Sequence, residues 1–198
     1  MRFIESIKLQ DGKYLNLVLH QSRISDVFNK YNARTKPPIL EEILPQIDMK
    51  GVFKVRMIYD VSDGDATYDI EYAEYIPRKI ESLQVVQSEL FDYSFKYENR
   101  DSINTLVSRA MADDIIIIMN GSITDGSYFN LAFWDGTHWL TPDTPLLKGI
   151  KRSQLINERK ISEKSIKEED ILSFEKVSLI NAMLDLGDIE VPTDQIIT

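Results

Sequence analysis

Residues 114–142, DIIIIMNGSITDGSYFNLAFWDGTHWLTP, carry the pattern on which the fold turns. DIIIIMN is a short apolar run with no alternation, the signature of a strand buried on both faces. GSITDGS (121–127) reads as a turn from its small and polar residues. NLAFW (130–134) reads as a second strand, Asp135-Gly136 as a tight turn, and HWLTP (138–142) as a third strand. This half of the chain is therefore built on a sheet.

Toward the N-terminus, DSINTLVSRAM (101–111) has helical spacing, YSFKY (93–97) is extended, and an apolar run begins at Leu83. Pro77-Arg78-Lys79 is the best linker in the chain, a proline beside charges between two apolar segments. It predicts a small α/β domain over 1–78 and a larger domain over 79–198. In the first, FIESIKL (3–9) and YLNLV (14–18) alternate as a hairpin about Asp11-Gly12. Ile24, Val27, Phe28 and Tyr31 recur at helical spacing over 20–31, and LEEILPQI gives a short helix stopped at Pro45. Strand patterns over 52–59 and 68–76 flank the polar SDGDAT turn (62–67). Beyond residue 142 the spacing predicts a helix over 150–158, a charged helix around EKSIKEEDIL (163–172) and a final strand VSLIN (177–181).

The chain has 198 residues, 43% of them hydrophobic and 28% charged, enough to bury a real core and incompatible with general disorder. No apolar stretch approaches the roughly 20 residues of a membrane span, and the N-terminal residues do not resemble a signal or transit peptide, so a cytoplasmic protein is expected. With no cysteine there is no disulfide framework or thiolate metal site, and two histidines, His20 and His138, make an imidazole-built metal site a poor expectation. A net charge of -9 argues against nucleic acid and for a small-molecule substrate.

Separated fragments then gain meaning from their order: HQSR (20–23), KYENR (96–100), GSITDGSYFNLAFWDG (121–136) with LTP (140–142), GIKR (149–152) and VSLINAML (177–184). Together they resemble the fold-type IV pyridoxal-phosphate-dependent enzymes: branched-chain and D-amino acid aminotransferases and 4-amino-4-deoxychorismate lyases. The resemblance implies an α/β (α+β) architecture, a two-domain D-amino acid aminotransferase-like fold with the cofactor, pyridoxal 5'-phosphate, between the domains, and a homodimer.

It also implies roles. Lys96 of KxxNR would hold the cofactor as a Schiff base and then shuttle a proton. Asp125 falls where the family usually carries glutamate against the ring nitrogen, one methylene shorter; read by itself it is an ordinary turn aspartate beside Gly126. Arg23 would bind the phosphate, helped by the amides of Gly149, Ile150 and Lys151 at a helix start and by Asn181 and Ala182. Lys151 stands where relatives often have threonine. Arg100 replaces a tyrosine that many branched-chain enzymes place near the cofactor. His20 reads as a packing or capping residue.

KxxNR and the INAML segment look more like the lyases than the transaminases. The resemblance thus implies release of pyruvate and 4-aminobenzoate from aminodeoxychorismate, a step in folate precursor synthesis. The alternatives are an aminotransferase for a branched-chain or D-amino acid, and a non-catalytic relative that binds the cofactor or a metabolite, for which Asp125 and the threonine hydroxyl missing at Lys151 are the motivating features.

Overall fold

Alternation in the first ten residues puts Phe3, Glu5, Ile7 and Leu9 on one face of a strand, β1 (Arg2–Gln10), and that face is covered by a helix. β1 turns into the two-residue β2 (Lys13–Tyr14), and α1 (Leu17–Lys30) follows. The expected second strand over 14–18 is cut short because Asn16 takes a left-handed conformation (φ 58°) that turns the chain directly into α1, three residues before His20. After α2 (Leu40–Ile43), β3 (Val52–Asp60) pairs with β1 along its whole length, from Arg2 opposite Asp60 to Gln10 opposite Val52, and β4 (Thr67–Glu74) closes an antiparallel sheet of order β2-β1-β3-β4. Ile24, Val27 and Phe28 of α1 pack with Phe3, Ile7, Leu9, Val55, Met57 and Tyr59 in its core.

These elements belong to the first of two units in the computed structural model, which describes residues 1–31, 35–61, 67–89 and 91–198. Residues 62–66 of the expected SDGDAT turn lie outside the described residues. The first unit is Met1–Ile76 with Phe95–Asn99, and the second is Pro77–Ser94 with Arg100–Thr198. The chain thus leaves the first unit two residues before the expected boundary, and a return segment carries Lys96 back to it, out of the 79–198 domain expected to contain it.

The second unit holds β5 (Leu83–Gln87), α3 (Asp101–Val107), β6 (Asp114–Met119), β7 (Ser122–Gly126), β8 (Asn130–Trp134), β9 (Trp139–Pro142), α4 (Ile150–Asn157), β10 (Ser162–Lys164), β11 (Lys176–Ile180), β12 (Glu190–Pro192) and β13 (Ile196–Ile197). They form two sheets, β13-β5-β6-β7 and β10-β9-β8-β11-β12. Ile116 and Ile118 of the first share a core with Leu131, Phe133, Val177 and Leu179 of the second, while Ile115, Ile117 and Met119 turn the other way toward Leu106 and Val107. A strand buried on both faces cannot alternate, which is why this stretch is continuously apolar.

Several expectations are corrected here. The turn expected over 121–127 is Asn120-Gly121, both at positive φ, and SITDG is strand β7. The 163–172 segment is β10 followed by a 3₁₀ helix, Glu168–Ser173, because Ile166 and Ile171 are drawn separately into the core and no helical stripe exists. α3 ends at Val107, YSFKY makes only an isolated bridge, Phe3 with Tyr97, and VSLIN is followed by two further short strands. No helix among the described residues is long and apolar enough to cross a membrane.

Candidate active site

Glu5 interrupts the apolar face of β1 and is fully buried. A carboxylate there must be matched, and α1 supplies the partners one turn apart: His20 Nδ1 lies 2.5 Å from Oε2, and Arg23 donates through Nε to Oε1 (2.8 Å) and through Nη2 to Oε2 (2.6 Å). Burial alone would raise the Glu5 pKa, but the Arg23 charge and the hydrogen bonds from His20 and Arg23 outweigh it and hold it at about 2. Burial lowers the pKa of His20, against the partial opposition of Glu5, so the imidazole is neutral. A neutral imidazole beside a carboxylate carries its proton on Nδ1, and the buried Nε2 has no hydrogen-bond partner among the described residues.

Lys96 belongs to the same unit. The Ile4 amide donates to the Lys96 carbonyl (2.9 Å) and the Glu98 amide to the Arg2 carbonyl (3.0 Å). Phe95 and Tyr97, on either side of the lysine, both pack on the Phe3 ring. The backbone at Lys96 is therefore clamped from both sides, and its ammonium lies close enough to His20 to depress the imidazole pKa further. Glu5, His20, Arg23 and Lys96 form one electrostatic neighbourhood.

In the second unit, Asp125 sits on a β-bulge. Ile118 pairs with Ile123 and Ile116 with Gly126, so Thr124 and Asp125 together face the single residue Ile117. A bulge of this kind breaks alternation and re-aims a side chain. Asp125 is buried; Asn130 Nδ2 donates to Oδ1 (2.7 Å) and the Leu147 amide to Oδ2 (2.9 Å). It makes no ion pair among the described residues. Burial therefore dominates and lifts its pKa to about 7, against the lowering effect of the Leu147 and Asn130 hydrogen bonds and the Arg152 charge. The reading of Asp125 as a turn aspartate folded onto its own loop does not describe it.

Gly149 is the N-cap of α4, and the first intrahelical bond runs from the Ser153 amide to its carbonyl (2.9 Å), which leaves the amides of Ile150, Lys151 and Arg152 at the open end. The Lys151 side chain turns away to Asp185 (2.5 Å) and Gln154 (2.9 Å), so only its amide serves that end. Arg100 donates to the Ser127 carbonyl and fixes the loop after Asp125. Asn181 accepts from the Met183 and Leu184 amides (2.8 and 3.0 Å) and donates to the Tyr128 carbonyl (3.3 Å), holding the turn that contains Ala182. Sequence reasoning missed Glu5 and Asn130 as site residues; for Glu5 the signal was a charge on the apolar face of FIESIKL, whereas Asn130 had none.

Pyridoxal phosphate needs an amine, a cation with amides for the phosphate, and a carboxylate for a protonated ring nitrogen. The donor set fits. The first unit carries the Lys96 amine and a carboxylate-oriented Arg23; the second, taken by itself, carries the open amides of α4 and Asp125, a buried carboxyl whose raised pKa reflects burial, with no ion-paired cation among the described residues.

The chain belongs to the amino-transferase class IV family, whose model matches residues 2–190 and whose members are pyridoxal-phosphate-dependent enzymes. It is 37% identical over 184 residues to an uncharacterised protein of Haemophilus influenzae, covering 90% of this chain and 96% of that one. Among solved structures it is similar to a candidate 4-amino-4-deoxychorismate lyase from Haemophilus somnus (30% identity, TM-score 0.86, 93% of this chain and 97% of the other). It is also similar in fold to the branched-chain aminotransferase of Escherichia coli (16% identity, TM-score 0.76, 98% of this chain and 76% of the other). A hypothetical aminotransferase from Mycobacterium tuberculosis in its pyridoxal-phosphate-bound form shares the fold as well (14% identity, TM-score 0.78, 98% and 81%).

Proposed function

We propose that the protein binds pyridoxal 5'-phosphate and acts as a 4-amino-4-deoxychorismate lyase, converting aminodeoxychorismate to pyruvate and 4-aminobenzoate. The observation that carries this reading is the Lys96-to-Arg100 KxxNR segment in a chain that matches the candidate lyase of Haemophilus somnus over nearly the full length of both. By contrast the Escherichia coli branched-chain enzyme extends well beyond the region shared with this chain.

When bound, the cofactor supplies the electron sink that lets a substrate carbon lose its proton. Lys96 would hold it through Nζ and, once the substrate amine has taken its place and freed Nζ as a base, would accept the proton from the substrate carbon that bears that amine. Asp125 keeps a proton at the ring nitrogen through its carboxylate. Arg23, its fork oriented by Glu5, would bind the phosphate, and in the second unit the open amides of Ile150, Lys151 and Arg152 are donors suited to the same anion. Asn181 and Arg100 hold the turns around these groups in place. An aminotransferase is the second reading, favoured by the family's own name, and uses the same residues up to proton removal.

The purified protein is expected to absorb in the visible, and Lys96→Ala to lose that band. Supplied with aminodeoxychorismate it should release pyruvate and 4-aminobenzoate in equal amounts. Turnover only with amino acids and 2-oxoglutarate would reject the lyase in favour of the transaminase, and a chain that never takes up pyridoxal phosphate would reject both.

A further inference from the structure

We propose that Asn130 is a positioning residue that locks Asp125 to the loop opening α4, so that the carboxyl and the start of that helix are held as one piece. Asn130 begins β8, and its side-chain amide reaches in three directions. Nδ2 donates to Asp125 Oδ1 at 2.7 Å and to the Leu147 carbonyl at 2.9 Å. The Leu147 amide returns a hydrogen bond to the other Asp125 oxygen at 2.9 Å, which closes a ring of three bonds. Oδ1 of Asn130 occupies the space beside Gly149, only 2.0 Å from where a Cβ would stand.

That last contact explains the glycine. Gly149 has φ −67° and ψ 150°, a conformation open to any residue, so its backbone does not require glycine. What excludes a side chain there is Asn130. The Gly-Ile-Lys start of α4 and the bulged strand β7 are thus joined by one buried amide, and a change at either end is transmitted to the carboxyl. Arg152, whose charge acts on Asp125, also lies on α4 and is fixed by the Pro142 carbonyl (2.9 Å) and Glu163 (2.6 Å). This inference rests on the reading of Asp125 as the ring-nitrogen carboxylate for its functional meaning, but the coupling itself is a property of the chain.

The test follows the titration of Asp125 by carbon-13 NMR in the full-length chain stripped of cofactor, with thermal melting as the control for folding. Asn130→Ala removes a hydrogen bond to the charged form and should move the titration midpoint to a pH higher by about one. Asn130→Asp, nearly the same shape, should move it further because two adjacent carboxyls cannot both ionise easily. Gly149→Ala touches no atom of Asp125, yet should move its titration upward by displacing Asn130. The Gly149→Ala, Asn130→Ala double variant should go no further than Asn130→Ala alone, since the smaller side chain makes room for the new methyl group.

A titration unmoved by Gly149→Ala, or effects that simply add, would overturn the proposal. Should Asn130→Ala fail to fold, Asn130→Asp and Gly149→Ala still decide it. Failure of the unsubstituted protein to take up pyridoxal phosphate would instead remove the ring-nitrogen reading and leave the coupling standing.

Discussion

Glu5 stands where the pattern of β1 calls for an apolar side chain, and its burial is tolerated because Arg23 grips both oxygens and His20 a third lone pair. Replacing it with glutamine keeps the volume but leaves the nearly buried Arg23 without its counter-charge. Glu5→Gln should therefore cost roughly 3 kcal/mol in chemical denaturation at neutral pH, the usual result of breaking one side of a buried pair. It should also weaken pyridoxal phosphate binding in an absorbance titration, because the guanidinium loses its orientation. Unchanged stability would mean that the pair is not a structural element of the first unit. The sign of the acid response follows from the depressed pKa: at about 2 in the fold against 4.5 otherwise, Glu5 stabilises fully above about pH 4.5 and progressively less as pH falls.

Among the elements, β7 shows most clearly what the sequence revealed and what it hid. Its residues, Ser-Ile-Thr-Asp-Gly, have turn composition, and pairing with the apolar run 115–119 of β6 makes them a strand; local propensity yielded to that pairing. The strands of 52–59, 130–134 and 138–142 and the helix starting at Ile150 were legible because each is a short run of strand-forming or helix-spaced residues bounded by local turn residues such as Asp135-Gly136 and Gly149. The roles suggested for Lys96, Asp125 and Arg23 came from motif order, while Asn130, the bulge and the return of Phe95–Asn99 to the first unit depend on long-range packing. A packing consequence follows at Gly126: a Cβ there would stand 1.9 Å from the Phe129 ring. Gly126→Ala should be destabilised by about 1–3 kcal/mol, and trimming the ring in Gly126→Ala, Phe129→Leu should recover part of that loss in melting experiments. A fully tolerated alanine would show that Phe129 does not pack against this end of β7.

For the whole molecule, the two units carry buried titratable groups of opposite sense. In the first, Glu5 has a lowered acid pKa and His20 a lowered base pKa, so both make the folded state less stable as pH falls, His20 from about 6.5 downward and Glu5 from about 4.5. In the second, Asp125 is raised from 3.8 to about 7; its neutral form is favoured by folding, so stability is highest below about pH 4 and declines as pH rises toward 7. A pKa that folding moves by one is worth about 1.4 kcal/mol, enough for Asp125 to be felt in a melting curve. Calorimetry of the cofactor-free chain between about pH 4 and pH 7 should therefore show one component rising with pH and one falling, and a two-unit chain need not melt in a single two-state step. Asp125→Asn should abolish the fall and leave the rise, whereas Glu5→Gln should act on the other component. Adding pyridoxal phosphate should reverse the fall as well, because a cation at the ring nitrogen stabilises the Asp125 carboxylate and lowers its pKa. A chain whose every transition strengthens from about pH 4 to pH 7 without cofactor would mean that Asp125 is not the desolvated carboxyl described, and the match to a ring-nitrogen partner would lose its physical basis.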